Sequence, residues 1–217
     1  MGRLRAALVA ASVVIGMPAL PAGAAEIADL VAPDEAPPPA PALLHRLVAN
    51  AGATVAGNPR GSVDVVEFFD YRCPYCRRMH ATFARLLAQD GRVRLVLKEW
   101  PIFGGVSVHA ARVAIAAGWQ GRFAEMDEAL WAIRPPMDEA AVRDAARAAG
   151  LDLGRLDRDL SARGAEIDAL PARTADEARA LHLSGTPGLV IGSFVVNGSL
   201  SLADLHGAIA DAVAPGR

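Results

Sequence analysis

Two cysteines, Cys73 and Cys76, are the only ones among 217 residues, and both lie in one Cys-Pro-Tyr-Cys run. Pro74 suits the first position of a helix, where a missing N–H costs nothing. A helix that begins here places free backbone N–H groups and the positive end of the helix dipole beside Cys73, which favours a thiolate. Cys76 lies one turn later, so the sulfurs can form a disulfide while only Cys73 faces outward. The pattern predicts redox chemistry.

The expected size of the effect shows why the thiolate matters. Thiols at such positions have pKa values of about 3.5 to 7.5, against about 8.5 for a free cysteine. A lowering of about 3 units corresponds to roughly 4 kcal/mol. This free energy shifts the two-electron potential by about 90 mV, enough to turn a reductant into an oxidant.

Half a zinc site is the alternative for a Cys-x-x-Cys. Zinc needs four ligands, and the five histidines stand singly along the chain. We therefore predict no metal, and the residues also indicate no cofactor.

Charged residues near the motif are candidates for tuning it. Glu67 shares a strand face with Val65 and Phe69, and a buried acid there would have a raised pKa and could take the proton that Cys76 must lose. Lys98 is the only lysine and ends the neighbouring strand. It can pair with Glu67, or it can be a chance lysine in an arginine-rich chain.

Two residues in the first turns of the helix leave their roles open. Arg77 can reach back towards the sulfur of Cys73, or it belongs to a solvated basic face. His80 shares the helix face of Cys76, so it either tunes the pair or is an ordinary surface histidine.

The segments around the motif predict a strand, a helix and a second strand. Residues 63–69 are rich in Val and Phe and read as a buried strand, and the helix from Pro74 runs to a turn at Asp90 and Gly91. Alternating apolar residues over 93–98 predict the second strand, parallel to the first.

The second half of the chain predicts helices followed by a hairpin. Residues 107–183 are rich in alanine and favour four or five short helices, with breaks that include Pro171. Residues 189–191 and 194–196 read as a hairpin, and Ser201 with Asp204 resembles a capping box that opens a last helix.

The N-terminal segment resembles a secretory leader. Arg3 and Arg5 precede an apolar run over 6–20, and residues 22–24 supply an A-x-A site, so residues 1–24 are predicted to be a signal peptide cleaved after Ala24. Export predicts a periplasmic protein in a compartment where disulfides persist. Residues 25–60 are expected to be a proline-rich linker with one short helix. The formal net charge of -2 gives no nucleic-acid footprint.

With these features in place, the sequence resembles the DsbA-like branch of the thioredoxin superfamily. The resemblance implies an α/β thioredoxin fold with an inserted helical domain, the thioredoxin part over 61–104 and 184–217 and the insertion over 105–183. It rests on the order of elements and on two segments, Val66-Glu67-Phe68-Phe69-Asp70-Tyr71-Arg72-Cys73-Pro74-Tyr75-Cys76 and Gly185-Thr186-Pro187-Gly188.

The resemblance also implies roles for individual residues. Cys73 is expected to attack, Cys76 to resolve and Glu67 to be the buried acid. Pro187 is expected to be cis and, with Thr186, to bind substrate backbone; the dipeptide Pro74 and Tyr75 between the cysteines is assigned to substrate contact as well.

The expected function is an exported thiol:disulfide oxidoreductase, acting as a monomer on cysteines of other exported proteins and reset by a membrane redox partner. Its direction stays open, because Tyr75 stands where the oxidase member has histidine and Thr186 is more typical of isomerases and reductases. A non-catalytic chaperone or binding module for unfolded exported chains is the alternative. A glutathione-using group on the same fold is disfavoured by the leader and the intact cysteine pair.

Overall fold

The structure, a computed structural model, describes residues 39–49 and 54–214, which form eight helices and five strands. The predicted signal peptide and half of the predicted linker, residues 25–38 and 50–53, lie outside these residues. In chain order the elements are α1 (Pro41–Ala49), β1 (Thr54–Gly57), β2 (Val63–Phe69), α2 (Pro74–Gln89), β3 (Val93–Glu99), α3 (Gly105–Gly118), α4 (Phe123–Ala132), α5 (Glu139–Ala148), α6 (Leu153–Ala162), α7 (Gly164–Ala180), β4 (Gly188–Ile191), β5 (Phe194–Asn197) and α8 (Leu202–Ala212).

All five strands belong to one mixed sheet in the order β1-β3-β2-β4-β5. The central pair is β2 and β3, which run parallel with Val65 opposite Leu95, as predicted. Strand β1 pairs antiparallel with β3, and β4 pairs antiparallel with both β2 and β5. Because β2 lies in the middle of the sheet, the turn that follows it is held by pairing on both sides.

The two faces of the sheet are covered by different helices. Val65 and Phe69 of β2 face a large core built with α2, α8 and the helices of the insertion. Val66 and Phe68 face a smaller core closed by α1 and the end of α7. The side of the sheet to which a residue points therefore decides whether it faces the cysteine helix.

Five helices, α3 to α7, occupy the interval for which four or five were predicted. Pro171 was expected to end a helix and instead lies inside α7. A proline within a helix costs about 3 kcal/mol, and the buried Ile167, Thr174 and Ala178 on the same helix supply the packing that offsets it. None of the described helices is long and apolar enough to cross a membrane.

The sheet has one strand that was not predicted. Strand β1 lies within residues 25–60, which were expected to form a linker, yet it pairs with β3 from Thr54 to Gly57. The hairpin of β4 and β5 and the helix α8 are as predicted. The Ser201 side chain and the Asp204 backbone and carboxylate form the predicted capping box at the start of α8.

Candidate redox site

The cysteine pair stands where the central strand passes into helix α2. The turn between them is closed by a hydrogen bond from the Cys73 N–H to the Asp70 carbonyl oxygen, 3.0 Å long. Cys73 has extended backbone angles and occupies the cap position, with Pro74 as the first helical residue. Both cysteines are free thiols. The cap geometry aims the first N–H groups of the helix at the Cys73 sulfur.

Cys73 is the acidic thiol of the pair. Its pKa is lowered to about 5, chiefly because the Cys76 thiol donates a hydrogen bond to it, with further help from the backbone N–H groups of Cys76 and Tyr75, while burial opposes the shift. When protonated, Cys73 donates instead to the Thr186 carbonyl oxygen, 3.2 Å from Sγ. The sequence predicted that Cys73 faces outward, but the residue is only 2 % exposed. The Thr186 carbonyl oxygen is one of the groups that lie against the sulfur.

Cys76 has the opposite character. It is fully buried, and its pKa is raised by the hydrogen bond that it donates to Cys73, by burial and by the nearby Glu67 carboxyl. At neutral pH the site therefore holds one thiolate and one thiol, hydrogen-bonded to each other.

The residues around the cysteines include most of those proposed from the sequence. The peptide bond between Thr186 and Pro187 is cis, and Pro187 is buried with its carbonyl oxygen bonded to the Gly198 N–H at 2.9 Å. The Thr186 Oγ1 has no hydrogen-bond partner among the described residues. Tyr75 is 55 % exposed beside the pair. This arrangement leaves a rim of Tyr75, Thr186 and the exposed Pro74 around Cys73.

Glu67 is the buried acid that the sequence predicted beneath the pair. It is 2 % exposed, and its Oε1 has no hydrogen-bond partner among the described residues. Burial raises its pKa well above the usual range, and the negative charges of Asp127 and Cys73 raise it further. The carboxylate form of Glu67 can accept a proton and its carboxylic acid form can donate one, in each case only by exchange with groups in this interior.

Lys98 does not join this site, so its suggested pairing with Glu67 is wrong. Its Nζ donates to the Glu177 Oε2 of α7 at 2.8 Å, and both side chains are buried. Lys98 stands opposite Phe68 in the register of β2 and β3, whereas Glu67 stands opposite Leu97. Since alternate residues point to opposite faces of a sheet, Lys98 lies on the face away from Cys76.

Two further buried acids share the interior with Glu67 and were not predicted. Burial raises the pKa of Glu99 to about 8, and its Oε1 has no partner among the described residues. Burial also raises the pKa of Asp127 to about 6, although Tyr71 Oη and Trp131 Nε1 donate to its Oδ1 at 2.8 and 3.1 Å.

Sequence signals for both residues were present. Alternation from Leu97 places Glu99 on the Glu67 face of its strand. Asp127 is three and four residues before Leu130 and Trp131, which is the spacing of one helix face.

A cluster on the surface side of Asp127 settles the roles left open for the basic residues. Arg77 donates to the Trp131 carbonyl oxygen, so it points to α4 rather than to Cys73. His80 stacks on the Trp131 ring and pairs with Glu128 at 3.3 Å. The ligand atoms of His80, Asp127 and Glu128 lie within 4.8 Å of one another, which makes them the candidate metal-binding group of the described residues.

Asp70 ties the cysteine turn to the loop before α3. Its carboxylate accepts from the Arg72 N–H at 2.8 Å, the Ser107 hydroxyl at 2.7 Å and the Phe103 N–H at 3.1 Å. Arg72 in turn donates from Nη1 to the Phe103 carbonyl oxygen at 3.3 Å. The backbone of Phe103 is thus held at both its N–H and its carbonyl by residues that precede Cys73.

Known proteins resemble this chain in both sequence and structure. A family model described as Thioredoxin matches residues 49–211. A thioredoxin-like oxidoreductase from Silicibacter pomeroyi DSS-3 is 41% identical, with a TM-score of 0.74 over 77% of this chain and 96% of that one. The catalytic domain of Proteus mirabilis ScsC is 21% identical, with a TM-score of 0.71 over 79% of this chain and 94% of that one. These likenesses confirm the α/β fold that the sequence predicted.

The chain also resembles one part of much longer curated proteins. The Na(+)/H(+) antiporter NhaA 1 of Mycolicibacterium gilvum (strain PYR-GCK) is 30% identical over 142 residues, which is 63% of this chain and 23% of the antiporter. The chain spans about a quarter of the length of the curated relatives that it matches.

Proposed function

The chain belongs to the thioredoxin family, and from this membership we propose that it is an exported thiol:disulfide oxidoreductase that uses Cys73 and Cys76. The observation that carries the proposal is the division of the pair into a thiolate and a buried thiol. The pKa of Cys73 is lowered to about 5 and that of Cys76 is raised. Cys73 is therefore proposed as the attacking thiolate, and Cys76 as the thiol that stays protonated until the resolving step.

In the reducing direction, the Cys73 thiolate attacks one sulfur of a substrate disulfide. A mixed disulfide forms, and the other substrate sulfur leaves as a thiolate. Cys76 then loses its proton and attacks Cys73 Sγ, which releases the second substrate sulfur and leaves a Cys73–Cys76 disulfide. Two electrons pass from the cysteine pair to the substrate. The oxidising direction is the same sequence reversed.

Glu67 is proposed to handle the proton in this exchange. When the Cys73 thiolate is consumed, Cys76 loses its hydrogen-bond acceptor and its proton must go elsewhere. Glu67 is the acid that interacts electrostatically with both cysteines, and none of the residues that the structure describes hydrogen-bonds its Oε1. We assign its carboxylate form as the base that takes the Cys76 proton when Cys76 attacks Cys73 Sγ, and its protonated form as the acid that returns the proton to Cys76 in the oxidising direction.

Substrate backbone is proposed to bind along Thr186 and Pro187, with Pro74 and Tyr75 as further contacts. The substrates are cysteine-containing exported proteins, and a membrane redox partner resets the pair. The signal peptide predicted over residues 1–24 supports a periplasmic location, and a monomer is proposed as the working unit.

Equilibration of the cysteine pair with a glutathione redox buffer tests the function. A measurable equilibrium supports exchange. A potential near that of thioredoxin, about -270 mV, marks a reductant, and one near about -120 mV marks an oxidant. The non-catalytic alternative predicts a Cys73 thiol that stays inert below pH 8, and that result would end the proposal.

A trapping experiment separates the roles of the two sulfurs. Cys76→Ser cannot resolve the mixed disulfide, so it is expected to accumulate covalent adducts with exported proteins that dithiothreitol removes. Cys73→Ser is the matched control and should accumulate none.

A further inference from the structure

We propose that His80 of α2, together with Asp127 and Glu128 of α4, binds a zinc ion; these residues are called here the three-ligand site. The ligand atoms of the three side chains lie within 4.8 Å of one another. The site uses neither cysteine, so it goes beyond the proposed function and does not depend on it. Because His80 and Glu128 are 48 residues apart, no local sequence pattern predicts the site.

Asp127 has the orientation that a metal ligand needs. It is only 6% exposed. The two hydrogen bonds that it accepts, from Tyr71 Oη at 2.8 Å and from Trp131 Nε1 at 3.1 Å, both go to Oδ1. No donor among the described residues bonds its Oδ2. A buried carboxylate with one oxygen held by donors and the other left without one is suited to bind a cation.

The His80 ring is held in place beside this carboxylate. It stacks on the Trp131 ring, with the ring centres 5.3 Å apart and an angle of 24° between the ring planes. The same tryptophan therefore orients two of the three ligands, the imidazole by stacking and Asp127 by a hydrogen bond. Contacts of this kind behind the ligands fix their positions before a metal binds.

The separations between the ligand atoms suit a tetrahedral zinc ion. Bonds of about 2.0 to 2.1 Å place the ligand atoms of such a site about 3.3 Å apart. His80 Nε2 and Glu128 Oε2 already have this separation, 3.3 Å, and the other separations are at most 4.8 Å. Glu128 is exposed and His80 is partly exposed, so small rotations of both side chains close the remaining gaps.

Other side chains do not balance the charge of the three-ligand site. Two carboxylates converge on one imidazole, and His80 is their only ion-pair partner in the part of the chain that the structure describes. Arg77 donates to the Trp131 carbonyl oxygen and forms an ion pair with neither carboxylate. Since buried charges in proteins are paired or coordinate metals, a divalent cation supplies the missing positive charge.

The types of the ligands select the ion. One imidazole nitrogen and two carboxylate oxygens suit zinc, with water in the fourth position, whereas calcium and magnesium take oxygen ligands and need more of them. The ligands come from α2, which also carries Cys76, and from α4 of the inserted helices. Bound zinc therefore ties the insertion to the cysteine helix and stabilises the folded chain.

The test uses the full chain with Cys73→Ser and Cys76→Ser, so that no thiolate can bind the metal. Cobalt(II) is the visible probe for zinc, because its absorption reports tetrahedral coordination. We expect an absorption change that saturates at one cobalt ion per chain and is reversed by zinc. Zinc at about 100-fold above its dissociation constant should raise the melting temperature by about 5 to 10 °C, whereas calcium and magnesium should not.

Variants connect the cobalt signal to the three ligands. In this background, His80→Ala and, separately, Glu128→Gln should each weaken cobalt binding at least about tenfold and remove the zinc-dependent rise in melting temperature. Trp131→Phe keeps a ring for stacking but lacks the Nε1–H, and it should weaken binding about tenfold. The matched controls are His206→Ala, a partly exposed histidine, and Glu139→Gln, an exposed carboxyl, and both should bind cobalt as the background does.

Three results would overturn the zinc site. They are no binding of cobalt or zinc by the background variant, an equal rise in melting temperature with calcium, and full cobalt affinity in both ligand variants, which would mark an adventitious ion only. Far-ultraviolet circular dichroism checks the fold of each protein, and Cys73→Ala with Cys76→Ala replaces the background if the serines impair folding. Because both backgrounds lack the cysteines, none of these results bears on the proposed function.

Discussion

Glu67 and Glu99 lie on the same face of two adjacent parallel strands, with Glu99 one alternation beyond Leu97, the partner of Glu67 in register. Both are buried, and each has an oxygen with no partner among the described residues. Together with Asp127 they make the interior behind the cysteines rich in carboxyl groups, and burial raises the pKa of all three. The site thus holds exchangeable protons where water has little access.

Replacement of Glu99 should stabilise the protein at alkaline pH. A carboxyl with a raised pKa costs stability as pH rises past its unfolded value of about 4.3, and the cost is nearly complete at its folded value of about 8. Glu99→Gln removes this titration, so the free energy of unfolding at pH 8 should rise by up to about 4 kcal/mol, with little change at pH 4. Urea denaturation at the two pH values measures the difference.

The matched control is Glu139→Gln, an exposed carboxyl in the first turn of α5. It should change the free energy of unfolding by less than about 0.5 kcal/mol at either pH. If Glu99→Gln destabilised the protein equally at pH 4 and pH 8, the result would indicate that the Glu99 carboxyl of the unmodified protein is already charged at pH 4 and is needed for packing.

The rate of Cys73 alkylation should follow a pKa near 5. The lowered pKa means that the reactive thiolate is present above this value and is lost as pH falls through it. Iodoacetamide labelling of the reduced protein between pH 3 and 9, read at the peptide level, gives the profile. The unfolded chain should show a midpoint near about 8.5.

The hydrogen bond from Cys76 should account for much of that shift. Cys76→Ala removes the donor and is expected to raise the midpoint by about one unit or more, whereas Cys76→Ser keeps a donor and should raise it less. If both variants kept a midpoint near that of the unmodified protein, the helix N–H groups alone would explain the acidity of Cys73.

Breaking the buried Lys98–Glu177 pair should affect stability without affecting the cysteines. Lys98→Met leaves the Glu177 carboxylate buried without its partner, which costs about 3 to 5 kcal/mol, and the double variant with Glu177→Leu should recover most of it. The labelling midpoint of Cys73 should be the same in all three proteins, since the pair lies across the sheet.

The exposed pair of Arg143 and Asp157 offers the comparison. Arg143→Met should leave the urea denaturation midpoint nearly unchanged, because exposed ion pairs contribute little. A shift of the Cys73 midpoint in the Lys98 variant would show that Lys98 does influence the site through the sheet.

Loss of the Asp70 carboxylate should loosen the loop of residues 101–104. Asp70→Ala leaves the Ser107 hydroxyl and the Phe103 N–H without their acceptor, at a cost of about 3 kcal/mol, and Ser107→Ala should cost about 1 kcal/mol. Limited proteolysis should cut the loop faster in the Asp70 variant alone. An uncut loop would mean that Gly104 and Gly105 hold it without the carboxylate.

The parts of the fold predicted from sequence are those with strong local signals. The Val and Phe run of β2, the proline at the start of α2 and the alternation of β3 each specify an element within a few residues. Strand β1 has four residues, two of them alanine and glycine, and its partner lies about forty positions away, so it gives little local signal.

The residues of the site also differ in whether a local sequence signal predicts them. Cys73, Cys76 and Glu67 were found because they stand close together in sequence around one strand end. The partner of Lys98 comes from α7, 79 residues away, and depends on how the inserted helices fold back over the sheet. The loop of residues 101–104 was not predicted to be tied to the cysteine turn, because its bond to Asp70 forms only in the folded chain.

The central place of β2 in the sheet has a consequence for local unfolding. Strands β1 and β5 form the two edges, so fluctuations that open the rim leave the middle strand paired. Amide protons of β2 should exchange only when the whole domain unfolds, while those at the edges exchange earlier. The turn that carries Cys73 therefore follows the strand that opens least often. We expect the position of the reactive sulfur to be kept while the edges of the sheet fluctuate around a bound chain.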